Sequence, residues 1–261
     1  MIGVGCMKAL ITGASSGLGY DMSYYLADLG YDLILVARNK EKLQEMQKEI
    51  KTNVKIIIAD LSNESKLKEI YVLCKNENID VLINNAGFGL CDNFLDTDLE
   101  SEIEMINTNI KAVHVLTKLF LKDMKKRNSG YILNVASLAA FMPGPLMTTY
   151  YATKAYVLRF TTAIYEELRR EKSDVVISCL CPGPVDTNFN NVADVTFSVK
   201  GMDSKFVAKY AIDKMFKKKL IIIPGTKMKM AAFFSRFLSI KKQAKITYNI
   251  QKKKMKSRKD K

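Results

Sequence analysis

An apolar strand runs straight into a glycine-rich turn near the start of the chain: residues 8–19 read Lys-Ala-Leu-Ile-Thr-Gly-Ala-Ser-Ser-Gly-Leu-Gly. Gly13, Gly17 and Gly19 let a strand bend sharply into a helix and let the backbone approach a bound group closely. The helix that begins near Gly17 aims unpaired N–H groups into the turn, which suits a phosphate. Such a turn is weak evidence alone. Its position after a strand and before a helix, inside a longer run of alternating elements, gives it weight.

Periodicity predicts strands over 8–12, 32–37, 55–59, 81–83, 131–135, 175–180 and 220–223, and helices over 18–29, 40–51, 66–76, 100–126 and 151–172. Short β-rich runs separated by helices imply parallel strands joined by crossover helices. The expected fold is therefore α/β, a doubly wound parallel sheet of Rossmann type, built as a single domain over 1–226. Apolar runs such as Ile56-Ile57-Ile58 predict strands buried on both faces. In these sheets ligands bind beyond the carboxyl ends of the strands. The glycine turn follows the first strand, and Asn84-Asn85, Ser137 and Pro182-Gly183 follow later ones, so all of them converge on one edge.

Charge divides the chain at residue 226. The net charge is +14, and residues 227–261 hold thirteen Lys/Arg against one acid, Asp260. Twenty-eight basic and 26 acidic residues precede them, a balance of only +2. Within the tail, Met228, Met230, Phe233, Phe234, Phe237, Leu238 and Ile240 recur at spacings of three and four among lysines, which predicts a basic amphipathic helix. The run after Gln251 is expected to be disordered. Three roles fit this tail: a cover for the substrate pocket or a subunit interface, contact with an anionic membrane surface, or nucleic-acid binding, for which charge is the only argument.

No run of about 18 apolar residues occurs, so a spanning helix is not expected. The first residues lack the layout of a secretory signal, and translation starting at Met7 is as compatible with the strand as a start at Met1. Cys6, Cys74, Cys91, Cys179 and Cys181 are scattered, with no ligand cluster for a metal. Reduced buried thiols in a cytoplasmic protein, at most peripheral to the inner face of the membrane, are the expectation.

The second strand ends in Ala37-Arg38-Asn39, with no acid to bind ribose hydroxyls. Arg38 can instead pair with a 2′-phosphate, so NADP(H) is the expected cofactor. Asp60, followed by Leu61, offers an acceptor for an adenine amino group. Asn85, Ala86 and Gly87 let a ribose lie against the backbone. Mid-chain, Tyr150 precedes Lys154 by one helical turn, a proton donor beside a cation that tunes it. The neighbouring Tyr151 projects about 100° away and has no lysine four residues on.

Together the motifs Thr12-Gly13-x-x-x-Gly17-x-Gly19, Asn84-Asn85-Ala86-Gly87, Asn109, Ser137, Tyr150-x-x-x-Lys154 and Pro182-Gly183 resemble the short-chain dehydrogenase/reductase family over residues 7–225. Ala37-Arg38 and the late Ile-Ile-Ile-Pro-Gly are similar to a broad bacterial group of NADP-dependent reductases. The resemblance implies Tyr150 as general acid in reduction and base in oxidation, with Lys154 favouring the phenolate and gripping the nicotinamide ribose. It implies Ser137 as donor to the substrate oxygen and Asn109 as holder of a relay water. Ser15, Ser16 and Leu18 would join the phosphate turn, and Val185 and Thr187, after Pro182-Gly183, would contact the carboxamide. Pocket walls would come from 138–147, with Phe141, Leu146 and Met147, and from 188–200, with Phe189 and Phe197. These lean apolar, which suits a lipophilic ketone or aldehyde. The family also implies a homodimer or homotetramer through helices around 111–126 and 151–170. His114, the only histidine, is expected to be a structural or interface residue. Two classes of function follow: an NADP(H)-dependent carbonyl reductase, or a non-catalytic NADP-binding protein docked by its tail.

Overall fold

Seven parallel strands are hydrogen-bonded in the order β3-β2-β1-β4-β5-β6-β7. The structure, a computed structural model, describes residues 7–187 and 201–259. Cys6, the choice between Met1 and Met7, and the loop with Phe189 and Phe197 lie outside the described residues. The strands are β1 (Lys8–Thr12), β2 (Asp32–Ala37), β3 (Val54–Ile58), β4 (Val81–Asn84), β5 (Tyr131–Val135), β6 (Val176–Leu180) and β7 (Ile221–Ile222). The order reverses direction between β1 and β4, where a crevice opens at the carboxyl edge.

Helices cover both faces. In chain order they are α1 (Gly17–Asp28), α2 (Lys40–Glu49), α3 (Glu64–Cys74), α4 (Leu99–Ile106), α5 (Val113–Arg127), α6 (Thr148–Arg170), α7 (Ser204–Phe216), α8 (Thr226–Ser235) and α9 (Ile240–Lys259). Alternate strand residues point to opposite faces, and the core divides accordingly. Ile11, Leu33 and Leu35 pack with Met22 and Leu26 of α1 and Val207 of α7. Leu10, Ile34 and Val36 pack with Leu67 of α3 and Phe120 of α5.

Four expectations need correction. β3 is the sheet edge, so Ile58 is 47% exposed and only Ile57 of the isoleucine run is buried; an apolar run alone does not distinguish an edge strand from a central one. The helix expected over 100–126 is broken by a π-helical stretch, Asn107–Ala112. The helix carrying Tyr150 begins at Thr148 and so includes it. The tail forms two helices rather than one, and α9 continues to Lys259 where disorder was expected. Its buried polar side chains Thr247 and Gln251 bond to Pro143 and Tyr151 of the body, and Gln243 bonds to Ser235 of α8, which anchors the helix. Among the described residues no helix is long and apolar enough to cross a membrane.

Candidate active site

The carboxyl ends of β1, β4, β5 and β6 open onto one cleft of about 290 Å³. One end is lined by Gly13, Ser16, Gly17 and Leu18, followed by Asn85, Ala86, Gly87 and Phe88. The other end is lined by Ser137, Tyr150 and Lys154, with Pro182, Gly183 and Val185 also in the wall, while Thr187 lies against the turn, 3.2 Å from where a Cβ on Gly17 would stand. Tyr151 and Gln251 also reach this cleft. Six of the expected residues lie outside its lining at the turn and along the β2–β3 edge: Thr12, Ser15, Gly19, Arg38, Asp60 and Leu61. Asn109 sits behind it.

The turn is shaped by what cannot fit there. Gly13 and Gly17 have φ of +65° and +54°, the left-handed region that favours glycine. A Cβ at Gly19 would lie 2.3 Å from the Gly13 carbonyl oxygen. Below the turn, the Thr12 hydroxyl accepts from the backbone N–H groups of Asn85 (3.0 Å) and Ala86 (3.1 Å) and donates to the Ile83 carbonyl (3.2 Å). It thereby fastens the exits of β1 and β4 together. Ser16 precedes α1 without capping it through its side chain, and the first turn carries no acid. The free N–H groups and positive end of α1 therefore stay available to an anion. A glycine cradle with an uncapped helix start fits a dinucleotide pyrophosphate.

At the chemical end, Ser137 follows β5 and Tyr150 lies in the first turn of α6. The Ser137 hydroxyl and the Tyr150 phenol are hydrogen-bonded to each other, and Ser137 Oγ accepts from the Ala139 N–H at 3.1 Å. Burial pushes the Tyr150 phenol up to about 12, with the Ser137 bond pulling the other way. The phenol is thus held protonated at neutral pH, the state a proton donor requires. Lys154 Nζ donates to the Val135 carbonyl at 3.0 Å and lies 5.8 Å from the centre of the Tyr150 ring. Burial pushes its ammonium down to about 8, opposed by the nearby Cys179 and Cys181 thiols. Those two sulfurs are 3.8 Å apart, and both cysteines are free and buried.

A buried ammonium destabilises the fold while it remains charged. The cost is full below about pH 8 and fades as pH rises toward the ordinary lysine value of 10.5, where the unfolded chain also loses the proton. Lys154→Met should therefore raise the melting temperature at pH 7 by at least about 3 °C, with the gain shrinking between pH 8 and 10.5. Calorimetry across that range would check it. A gain that is flat with pH would mean the lysine is not held in this way.

Asn109 lies in the π-helical stretch and is fully buried. Its Nδ2 donates to the Phe88 carbonyl (2.9 Å) and to Thr153 Oγ1 (3.1 Å), while its Oδ1 accepts from the Phe88 N–H (3.1 Å). It braces the chain leaving β4 against α6. A Cβ on Gly87 would come within 2.8 Å of Asn109 Oδ1 and 3.2 Å of Lys154 Nζ. The glycine is what lets these groups crowd the cleft wall.

At the β2–β3 edge, Arg38 is exposed, with Nη1 3.0 Å from Glu104 Oε1 and 4.0 Å from Asp60 Oδ2. Asp60 Oδ1 accepts from the Ser62 backbone N–H (2.9 Å) and hydroxyl (2.8 Å), and Leu61 is buried in the core. Of the expected substrate wall, Leu138, Ala139 and Met147 line the cleft, whereas Phe141 packs elsewhere, against a cluster with Val113 and Ala140. His114 is exposed on α5, 2.7 Å from the Tyr156 hydroxyl and stacked on Phe160 of α6 at 5.0 Å.

Sequence reasoning missed Phe88, Glu104 and Gln251, and set Tyr151 aside. Phe88 follows the Asn-Asn-Ala-Gly motif directly, a signal that was available. Gln251 had none, because it comes from the basic tail and reaches the cleft only through tertiary packing. Its Nε2 donates to the Tyr151 hydroxyl at 2.6 Å.

A twisted parallel sheet with a phosphate turn at one end of its edge cleft and a paired serine and tyrosine at the other defines a dinucleotide-dependent oxidoreductase. A profile of the short chain dehydrogenases matches residues 7–195, and the chain belongs to the short-chain dehydrogenase/reductase family, enzymes that act on alcohol and carbonyl groups. It is 32% identical over 188 residues to an uncharacterized oxidoreductase from Staphylococcus epidermidis, covering 71% of this chain and 81% of that one. It is also 36% identical over 202 residues to 17-beta-hydroxysteroid dehydrogenase type 3 of Rattus norvegicus, covering 75% of this chain and 65% of that protein. Among solved structures, a short-chain dehydrogenase from Sphingobium yanoikuyae in complex with NADPH superposes with a TM-score of 0.80 at 26% identity, covering 88% of this chain and 93% of that one. A bulky-bulky ketone specific alcohol dehydrogenase from Comamonas testosteroni gives 0.77 at 27% identity, covering 89% and 93%.

Proposed function

We infer that this enzyme is an NADP(H)-dependent carbonyl reductase whose substrate is a lipophilic ketone or aldehyde, with Tyr150 as the general acid. The observation that carries the reading is the hydrogen-bonded Ser137–Tyr150 pair in the same cleft as the glycine turn. When bound, the nicotinamide supplies the hydride. Gly13, Ser16, Gly17 and Leu18 would hold the pyrophosphate, and Lys154, Val185 and Thr187 would orient the nicotinamide end. Ser137 positions the substrate oxygen, and Tyr150 delivers the proton to that oxygen. Lys154, already crowded against Tyr150, supplies the positive charge that stabilises the phenolate left behind. Asn109 fixes the loop beneath this chemistry.

The preference for NADP(H) rests on Arg38. Glu104 and Asp60 hold its guanidinium at the end of β2, and a 2′-phosphate there would exchange one carboxylate partner for a doubly charged one. Arg38→Asp is expected to weaken NADPH binding by about 10–100-fold while leaving NADH nearly untouched. Paired fluorescence titrations would measure this, and unchanged selectivity would remove Arg38 from the assignment. A screen of ketones and aldehydes of graded size, followed by NADPH consumption, tests the activity; no turnover of any would refute it.

The NADPH complex of the Sphingobium relative and the ketone specificity of the Comamonas one support the reading. Oligomerisation as a dimer or tetramer through the outer faces of α5 and α6 is proposed on the exposed His114–Tyr156–Phe160 cluster. The protein is proposed to be cytoplasmic.

A further inference from the structure

The two tail helices are inside-out. On its buried side, α9 presents Gln243, Thr247 and Gln251, each at most 9% exposed. These form hydrogen bonds with the Ser235 carbonyl (2.9 Å), the Pro143 carbonyl (2.6 Å) and the Tyr151 hydroxyl (2.6 Å). Away from it stand the apolar residues. Phe233 and Phe234 of α8 are 51% and 57% exposed, Phe237 73% and Ile240 74%. The three phenylalanines are one cluster, with ring centres 5.4 and 5.5 Å apart. Helices that face water carry the reverse pattern, apolar inward and polar outward, and contiguous exposed apolar surface on this scale marks a binding site.

The same two helices and the turn between them carry exposed cations, Arg236, Lys241, Lys242 and Lys245, and no acid occurs between residues 227 and 259. We propose that the outer face of α8 and α9 docks on an anionic bilayer, with the phenylalanine cluster in the interfacial layer and the lysines at the headgroups. Charge selects this occupant. A second copy of the chain would set one +12 tail beside another, and a nucleic acid would leave the aliphatic side chains Leu238 and Ile240 in water.

Docking brings the cleft to the lipid surface. The inner face of α8 places Met228 against Gly183 of the cleft wall, where a Cβ would meet its sulfur at 2.8 Å, and α9 sends Gln251 to Tyr151. One helical layer thus separates bilayer from cleft. A lipophilic carbonyl compound dissolved in the membrane then has the shortest route in; this last step rests on the reductase reading.

The test uses the full-length protein and the double variant Phe233→Asp/Phe237→Asp, whose fold is checked by circular dichroism and NADPH binding. Co-sedimentation with phosphatidylglycerol–phosphatidylcholine vesicles should exceed that with phosphatidylcholine alone by at least about tenfold and weaken with salt. The double variant should lose about tenfold or more. Lys241→Glu/Lys245→Glu should lose the preference for anionic vesicles. Turnover of a long-chain ketone presented in vesicles should fall in the phenylalanine variant, while that of a small water-soluble ketone stays unchanged. Equal sedimentation of variant and parent overturns the proposal. So does a change in oligomer mass without vesicles, or binding to a single-stranded oligonucleotide in place of vesicles. Vesicle binding without turnover of either ketone sinks the reductase reading and leaves the docking standing.

Discussion

Tyr150→Phe lowers carbonyl reduction by about 10²–10⁴-fold, the usual worth of a positioned general acid, and leaves NADPH binding intact. The substitution removes one oxygen from a side chain that is 9% exposed and packed among Cys91, Met105, Ala139 and Met147. Shape is kept and the transferable proton is lost. Tyr151 is the internal control, because its ring lies only 6.2 Å from that of Tyr150. Its hydroxyl accepts from Gln251 rather than meeting Ser137. Tyr151→Phe should therefore retain turnover of a small ketone. Steady-state rates for the two variants side by side decide the matter. Survival of the first or collapse of the second would move the acid to Tyr151.

Gly19→Ala is expected to reduce NADPH affinity by about 100-fold and to lower the melting temperature by several degrees, on the order of 1–3 kcal/mol of overpacking. The new methyl would fall 2.3 Å from the Gly13 carbonyl oxygen and 2.5 Å from Asn85 Nδ2. Neither neighbour can yield cheaply. The first is backbone, and Asn85 Nδ2 is held by the carbonyls of Thr12 (3.1 Å) and Gly13 (3.3 Å). Helix α1 must retreat from the turn, carrying its N–H groups out of reach of a phosphate. Thermal shift with and without NADPH measures both effects. A stable variant with full affinity would show that the cofactor is seated elsewhere.

Strand and helix periods carried most of this architecture into the amino-acid order. β2 and β5 begin and end where alternation and turn residues place them. The glycine turn and the Tyr150–Lys154 pair were also visible, because backbone space and one-turn spacing leave local marks. What could not be read depended on neighbours distant in sequence. Ile58 faces solvent because, among the described residues, no strand pairs beyond β3. Arg38 has Glu104 as a partner from 66 residues away. The polar face of α9 had no mark of its own within the basic tail, and docking on Pro143 and Tyr151 explains its burial.

The wide turn of helix at Asn107–Ala112 carries a consequence for how this chain tolerates change. A π-helical stretch holds an extra residue relative to a regular α-helix, and each residue advances the side chains by about 100°. Upstream, Met105 faces the protein; downstream, Val113, Leu116 and Phe120 face it too. Both halves meet the body only because the irregular turn absorbs the difference in phase, and Asn109 is presented at that point. Deleting one residue there would give a more regular helix and a worse enzyme. The apolar stripe downstream would keep its seat, because the regular turn is one residue shorter and ends at the same angle, but the widened backbone that presents Asn109 to Phe88 and Thr153 would be gone.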